Sequence, residues 1–317
     1  MADALELWKH PRSDEINMIV GWRQWADAGS VSSGLPAFLV RQLGAEPIGQ
    51  IRGDGFYLFQ TPGAHDLMRP VVRYVSGYPK SLEGQSNDFY YAGDEKKGLV
   101  IFIGDEPNMD VERYIAAILD AARTLKVRRI IGLGGVFGEL PYDKERSISA
   151  NYSLPGLKEV VQRIAVNLSD YHGGATIGAV MCKRAGEAGL EFIGLYAFVP
   201  VYDLTPLTET SSMIRLDNDF TAWVGVMKRI NYLLGMNVDI SHLEAKSQEL
   251  TALVEKRIDE IHQEAPQLGI KDYFARLSED FQELEFNPLD DVWEEELKRL
   301  LNKFDDNPPA GESEDQS

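Results

Sequence analysis

Histidine and cysteine are the first residues to examine for catalytic or metal-binding chemistry, and neither forms a recognisable site here. The chain contains five histidines, at positions 10, 65, 172, 242 and 262. None has HxxxH or HxxE spacing to a second ligand, so the sequence predicts no metal site. There is no GxSxG motif, and Cys182 has no nearby histidine to activate its thiol, so we expect it to be a buried core residue. We therefore predict no cofactor and, in the leading interpretation, no catalytic residue.

Carboxylates and glycines at the ends of predicted strands are the remaining candidates for a site. Asp27 and Asp105 each come shortly after an apolar run, and Glu139 follows the glycine-rich stretch 132–138. That stretch lacks the spacing of a dinucleotide-binding loop, because Phe137 stands where the third glycine is required. We interpret its glycines as allowing close backbone packing at a strand end.

The segment Asp27-Ala28-Gly29-Ser30 precedes a predicted helix, and two interpretations of it are open. Its backbone could bind a small anion at the helix N-terminus, or Asp27 could cap the helix or form a turn. The same two interpretations, a site for a small anion or a turn-forming carboxylate, are open for Asp105. Two tryptophans beside this segment could line a pocket, contact a partner or pack internally. The candidate ligand- or partner-binding residues are Trp22, Trp25, Asp27, Gly29, Ser30, Asp105, Asn108, Gly134, Gly135 and Glu139.

Three apolar runs, 16–20, 99–104 and 130–134, are predicted to be the strands that position these loops. Each is short and rich in β-branched residues, as in parallel strands that are covered on both faces. Apolar residues at helical spacing predict helices at 31–44 and 111–125. Since ligands and partners usually meet such sheets at the carboxyl ends of the strands, we expect the site there.

Weaker patterns fill the rest of the first 207 residues. Further strands are predicted at 4–8, 45–52, 55–60, 71–75, 89–91, 175–181 and 192–199. A helix is predicted at 157–168 and a short helix or turn at 184–188, and Pro200 is expected to end the last strand. Pro36 requires that the first helix begins near Ser32–Ser33 or kinks.

From about Ser211 the pattern becomes helical, and no strand-like run remains. Stripes of apolar residues at helical spacing occupy 214–234, 243–261, 274–284 and 293–301. The predicted fold class is α/β, with a mainly parallel sheet flanked by helices and a C-terminal helical extension. The predicted domains are an α/β core at 1–207, a helical domain at 208–304 and a disordered acidic tail at 305–317.

Composition and charge exclude several classes of function. The formal charge is −18, and the last 39 residues carry 14 acidic against three basic side chains. Without a basic stripe, a nucleic acid or an anionic membrane is an unsuitable partner. A single cysteine, no targeting segment and no long apolar run together predict a cytoplasmic protein.

Three segments together resemble the PAC2 (proteasome assembly chaperone 2) family, in its bacterial, actinobacterial type. GWRQWADAGSVSSGLPAFLV resembles the family's glycine, Asp-Ala-Gly segment and following helix. GGVFGELPYDKERSISA is similar to its glycine-rich strand end, and FIGLYAFVPVYDL, with Pro200 and Tyr202, is similar to its last core strand. The match covers about residues 1–300, and the acidic helical part also resembles bacterial members.

The resemblance implies a phosphorylase/hydrolase-like α/β core, homo-oligomers such as a trimer, and a role in assembling 20S proteasomes by docking on α-subunits. One departure concerns docking: this chain ends Glu-Asp-Gln-Ser, without the C-terminal hydrophobic-Tyr-X motif that family chaperones can use. The leading hypothesis is a non-catalytic, oligomeric protein that binds other proteins.

The alternative is an enzyme of the nucleoside phosphorylase or hydrolase type. Its pocket would be formed by 27–33, 105–108 and 134–139, with Glu139 or Asp27 as the acid/base. Fold alone does not establish this activity.

Overall fold

The computed structural model describes residues 4–53, 55–60, 69–203, 213–284 and 286. Its strands are β1 (Leu5–Leu7), β2 (Glu15–Arg23), β3 (Glu46–Ile51), β4 (Val71–Val75), β5 (Tyr78–Glu83), β6 (Asp88–Gly93), β7 (Lys97–Asp105), β8 (Val127–Gly138), β9 (Ile148–Tyr152), β10 (Asn167–Leu168), β11 (Glu191–Asp203) and β12 (Met213–Arg215). Its α-helices are α1 (Gly34–Gln42), α2 (Val111–Thr124), α3 (Lys158–Gln162), α4 (Ile177–Glu187), α5 (Phe220–Leu234), α6 (Ser241–Glu264) and α7 (Ile270–Asp280).

One large sheet has the strand order β1-β3-β6-β7-β2-β8-β11-β9-β10, and β12 pairs with the end of β11. The central strands β7, β2, β8 and β11 are parallel. The flanking strands β6, β3 and β1 on one side and β9 on the other are antiparallel to their inner neighbours. We call the side where the central strands end the carboxyl edge. The predicted α/β fold with a parallel centre is confirmed.

Helices cover both faces of this sheet, which explains why its central strands carry apolar residues on both faces. Met18 and Val20 of β2 face the cluster formed with α2 and α4. Ile19, between them, faces the opposite cluster, which contains side chains of α1, α5, α6 and α7. All three side chains are fully buried.

The C-terminal helices pack directly on the sheet. Trp223, Met227 and Ile230 of α5 belong to the same buried cluster as Ile131 and Leu195 of the central strands. Helices α5 to α7 account for the apolar stripes at 214–284. The stripe at 293–301 and the predicted tail lie outside the described residues.

The predicted strand at 175–181 is wrong, because this segment is the start of α4. Its β-branched and small residues suggest a strand, but Ile177, Met181 and Ala185 recur every four residues and are all buried. Thr176 caps the helix, since its Oγ1 accepts a hydrogen bond from the backbone N–H of Ala179 at 3.1 Å. The short helix or turn predicted at 184–188 is the end of the same helix.

Two other boundaries differ because of tertiary contacts. The helix predicted at 157–168 ends at Gln162, and the buried guanidinium of Arg229 donates to the carbonyls of Ile164 and Ala165, each at 2.8 Å. Pro200 does not end β11, which continues to Asp203. β11 pairs with β9 up to Ala197 and with β12 from Val201, and Pro200 lies between these two parts. Its missing backbone N–H therefore breaks no hydrogen bond to β9 or β12.

Four smaller predictions also need correction. Residues 55–60 form turns and no strand, and β5 lies between the predicted strands at 71–75 and 89–91, where a loop with Pro79 and Gly84 is expected; Pro79 is in an edge position. β12 is a strand beyond residue 211, and the helix predicted from Ile214 begins at Phe220. The first of the two expectations for Pro36 is confirmed, because α1 begins at Gly34, directly after Ser33 as the N-cap residue, and Pro36 lies in its first turn.

Candidate functional site

Asp27 organises the loop between β2 and α1. Its Oδ1 accepts hydrogen bonds from the backbone N–H groups of Ser32 and Ser33, both at 2.9 Å. Its Oδ2 accepts from the Ser33 hydroxyl at 2.6 Å. Burial raises the pKa of Asp27 even against these three hydrogen bonds. The carboxylate thus occupies the N–H groups just before α1 that the sequence analysis considered for a bound anion.

The Gly29 backbone joins this loop to the segment before α5. Its carbonyl accepts hydrogen bonds from Trp223 Nε1 at 2.9 Å and from the backbone N–H of Asp219 at 3.0 Å. Gly29 has φ of +59°, and a Cβ there would lie 2.8 Å from the Asp219 Cβ. The Ser30 hydroxyl donates to the Asp217 carbonyl at 2.7 Å. Both candidates therefore connect the carboxyl edge to the C-terminal helices.

A buried ion pair strengthens this connection. Arg146 Nε donates to Asp219 Oδ2 at 2.7 Å, and the two side chains are 1% and 0% exposed. Asp219 Oδ1 also accepts from the backbone N–H groups of Thr221 and Ala222, which caps α5.

The glycines of β8 allow close approach at the carboxyl edge, as interpreted from the sequence. Gly135 donates its backbone N–H to the Ala26 carbonyl at 2.8 Å and pairs with Asp27 in an isolated parallel bridge. A Cβ at Gly135 would lie 2.1 Å from the Ala28 carbonyl oxygen, and one at Gly134 would lie 2.4 Å from the Tyr196 ring.

Asp105 and Asn108 stabilise a neighbouring loop. Asp105 Oδ2 accepts from the backbone N–H of Ser86 at 2.8 Å and pairs with Arg23 at 3.2 Å. The backbone N–H of Asn108 donates to the Phe56 carbonyl at 2.9 Å. These contacts are structural and occupy the Asp105 carboxylate.

Glu139 is exposed and lies near α7, and it accepts a hydrogen bond from the Tyr273 hydroxyl. The three loops proposed for an enzyme pocket therefore do not direct Glu139 and Asp27 toward one shared space.

A small cavity does lie between the carboxyl edge and the N-terminus of α4. Its volume is about 10 Å³, which is room for a single water molecule. Its lining residues are Trp22, Ala26, Ser32, Glu106, Leu133, Thr176, Ile177, Gly178 and Tyr196. Trp22 is the member of the candidate set that reaches it, and its ring packs edge-on against Phe102.

Glu106 is the carboxylate of this cavity. It accepts hydrogen bonds from the backbone N–H of Ile177 at 3.2 Å and from that of Trp25. Burial nevertheless raises the pKa of Glu106, because desolvation outweighs the two hydrogen bonds. Tyr196 lies opposite, its hydroxyl 3.4 Å from Thr176 Oγ1, and burial raises its pKa as well.

Sequence reasoning missed Glu106, Thr176 and Tyr196 as residues of this cavity. Glu106 could have been found, because it directly follows Asp105 at the end of an apolar strand. Thr176 was missed because residues 175–181 were predicted to form a strand, and a helix cap is not expected inside a strand. Tyr196 lies within a strand, and its proximity to the cavity depends on the pairing of β11 with β8.

Four large apolar or aromatic side chains are exposed around the carboxyl edge, and we call them the rim surface. They are Trp25 at 76%, Met109 at 44%, Phe137 at 38% and Tyr171 at 74% exposure. Trp25 and Met109 follow β2 and β7, Phe137 is near the end of β8, and Tyr171 lies in the loop before α4. Aromatic side chains and methionine are enriched at protein-binding surfaces.

Metal and membrane features are absent from the described part of the chain. No group of three or more His, Cys, Asp or Glu side chains there could hold a metal ion. None of the helices in the described ranges has the length and apolar character needed to cross a bilayer. Cys182 is buried, and burial raises the pKa of its thiol to about 11, so the thiolate is disfavoured.

Comparison with solved structures shows the same fold in several proteins. A proteasome-assembly chaperone homologue of Mycobacterium tuberculosis has 20% identity and a TM-score of 0.64, over 76% of this chain and 94% of that one. A PAC2 family protein from Streptomyces avermitilis has 22% identity and a TM-score of 0.65, over 79% and 99%. Pyrococcus furiosus PbaB, an archaeal proteasome activator, has 20% identity and a TM-score of 0.58, over 80% and 97%.

A search of curated proteins finds no match to this chain. The family model described as "PAC2 family" matches residues 21–258, which include the end of β2, the loop organised by Asp27, the central strands β7, β8 and β11, and the helices up to most of α6. The chain belongs to the PAC2 family.

Proposed function

We propose that this protein acts by binding other proteins, in an assembly-chaperone role, as a non-catalytic homo-oligomer in the cytoplasm. The single observation that carries the proposal is the rim surface, where two aromatic side chains, Trp25 and Tyr171, are about three-quarters exposed. Exposed aromatic residues at the centre of an interface commonly supply most of its binding energy.

The cavity beside Glu106 supports binding over catalysis at that part of the carboxyl edge. Pockets that hold small molecules usually have volumes of roughly 300–1,000 Å³. The cavity beside Glu106 has a volume of about 10 Å³, which excludes a nucleoside without rearrangement. The carboxylates of Asp27 and Asp105 are occupied by backbone and side-chain donors.

Related structures suggest the class of partner. Proteins with this fold include a proteasome-assembly chaperone homologue and an archaeal proteasome activator. We propose proteasome subunits as the partner class, with α-subunits the first to test. In this proposal, docking uses the rim surface.

The test is to mix the purified full chain with purified proteasome α-subunits of the same organism and measure complex formation by size exclusion and native mass spectrometry. Trp25→Ala is expected to weaken binding at least about tenfold, the usual effect of removing an interface hot spot.

Trp8→Ala is the matched control. Trp8 is 52% exposed, but it lies beside Pro47 and Ile48 at the start of β3, on the opposite edge of the sheet. It should bind like the unmodified chain. Failure of the unmodified chain to bind any α-subunit would refute the proposed partner class. Equal loss in both variants would refute the rim surface as the contact.

A further inference from the structure

Glu106 contacts two separate segments at the carboxyl edge, and each segment adjoins an exposed aromatic residue of the rim surface. Glu106 directly follows β7, and its side chain is half-buried. Its carboxylate accepts hydrogen bonds from the backbone N–H of Trp25 and, at 3.2 Å, from that of Ile177. An ionised carboxylate makes stronger hydrogen bonds to N–H groups than a neutral acceptor does. One side chain therefore connects the loop after β2 to the N-terminus of α4.

The backbone around Trp25 has a conformation that depends on such contacts. Gln24 has φ of +96°, which residues other than glycine rarely adopt. Conformations of this kind persist where surrounding contacts hold them. On one side of this turn, the Trp25 N–H donates to Glu106. On the other side, the Ala26 carbonyl accepts from the backbone N–H of Gly135 at 2.8 Å. The Trp25 backbone is thus held on both sides, while its side chain is 76% exposed.

Tyr171 is tied to the segment that Glu106 holds at the start of α4. The Tyr171 hydroxyl donates to the Gly174 carbonyl at 3.3 Å, so the side chain is fixed to the end of its own loop. Three residues later, the backbone N–H of Ile177 donates to Glu106. A shift of the α4 N-terminus away from Glu106 would therefore move Tyr171 relative to Trp25.

We propose that Glu106 is a positioning residue of the rim surface, whose carboxylate fixes the loops of Trp25 and Tyr171 relative to each other. The inference rests on the proposed function, because it gives the contacts of Glu106 a role in presenting the partner-binding side chains. Its first test needs no partner and can therefore fail separately from the proposed function.

Hydrogen exchange of the full chain measures whether Glu106 holds both segments. Glu106→Leu has a side chain of similar size but removes both acceptor oxygens, so the amides of Trp25 and Ile177 should exchange at least about tenfold faster. The amide of Ser32, which donates to Asp27, should keep its rate. Glu106→Gln keeps an acceptor oxygen and should restore much of the protection. If Glu106→Leu leaves both amides protected, the inference is refuted while the proposed function stands.

Glu112→Leu is the matched control. Glu112 also contacts α4, through Arg184 at 2.6 Å, but this ion pair joins exposed side chains, Glu112 being 63% exposed. The exchange of both amides should not change in this variant. Equal acceleration in the Glu112 and Glu106 variants would mean general loosening of α4 and would also refute the inference. If Glu106→Leu has no cooperative unfolding transition, Glu106→Asp, which withdraws the carboxylate by one methylene, takes its place.

Binding to proteasome α-subunits separates positioning from a purely structural role. Trp25→Ala should weaken binding by about tenfold in the unmodified chain but by less than about threefold in the Glu106→Leu background, because a misplaced Trp25 contributes little. Equal losses in both backgrounds would refute positioning and leave the proposed function intact. If no form of the chain binds α-subunits but Glu106→Leu accelerates exchange, the proposed partner class is refuted, and the two loops are still held by Glu106.

Discussion

Two buried carboxyl groups at the carboxyl edge, those of Asp27 and Glu106, have raised pKa values. Asp27 and Glu106 both accept hydrogen bonds from backbone N–H groups, and burial raises the pKa of both. A raised carboxyl pKa means that the folded state binds the proton more tightly than the unfolded state does. Each group therefore favours folding most at low pH, and this contribution is lost as pH rises through the folded-state pKa.

Glu106 gives the first prediction. Its ordinary pKa is 4.5, and burial raises it, so ionisation of Glu106 opposes folding increasingly above that pH. Glu106→Gln removes the ionisation, so the variant should gain stability relative to the unmodified chain between about pH 4 and about pH 7. Urea unfolding across this range measures the difference. A constant difference in unfolding free energy would show that Glu106 does not titrate in this window.

Asp27 gives the second prediction, which concerns its hydrogen bonds to the loop before α1. Asp27→Ala removes the acceptor of three hydrogen bonds at the start of α1 and should cost about 0.5–2 kcal/mol of unfolding free energy. Asp27→Asn should cost less, because its amide oxygen still accepts from the backbone. Chemical denaturation measures both variants, with Asp170→Ala as a control at an exposed position. Equal stability of the Ala variant and the control would contradict a stabilising role for these hydrogen bonds.

The sequence predicts the residues of this edge unevenly. Asp27 and the β8 glycines were recognised, because strand ends followed by aspartate or glycine are local signals. Thr176 and Tyr196 were not, because their place beside Glu106 depends on α4 and on the β8–β11 pairing, which are tertiary features.

At the scale of secondary-structure elements, the distance between β8 and the Asp27 loop decides what can occupy position 135. A Cβ at Gly135 would lie 2.1 Å from the Ala28 carbonyl oxygen, and both partners are backbone. Gly135→Ala must therefore move the loop away from β8, at a cost of about 1–3 kcal/mol.

Gly156→Ala is the matched control for this third prediction. A Cβ at Gly156 would meet nothing within 4 Å, so the substitution should change stability by less than about 0.5 kcal/mol. Thermal and urea unfolding of both variants make the comparison. Equal effects would mean that the close approach of Gly135 to the loop is not required.

Elements with strong patterns were predicted well, and those shaped by contacts were not. The strands at 16–20, 99–104 and 130–134 are apolar on both faces, with Asn17 as the exception, because helices cover both faces. In contrast, α3 ends at Gln162, just before the Ile164 and Ala165 carbonyls that accept hydrogen bonds from Arg229. Arg229 lies 67 positions after Gln162, so the local sequence does not predict this contact.

At the scale of the whole molecule, hydrogen bonds and a buried ion pair connect the carboxyl edge to the C-terminal helices. The Gly29 carbonyl, the Ser30 hydroxyl and the Arg146–Asp219 pair all connect the core to the segment 217–223. A partner bound at the rim surface would therefore contact loops that are held by α5, and α5 would help to position that surface.

The predicted boundary between residues 207 and 208 leads to the fourth prediction. Trp223 and Met227 of α5 share a buried cluster with Ile131 and Leu195 of the sheet, so removing α5 uncovers one face of the central strands. A chain of residues 1–207 should therefore be insoluble or lack a cooperative unfolding transition, as circular dichroism and thermal unfolding would show.

A chain of residues 1–286 is the control for this truncation, because it keeps α5 to α7 and Phe286. The Phe286 ring packs edge-on against Tyr232 at 5.6 Å and lies 5.1 Å from the Arg229 guanidinium. This chain should unfold cooperatively, close to the full-length protein. If 1–207 also unfolds cooperatively, the core is an independent domain, and the contacts of α5 with the sheet are an interface between two folding units.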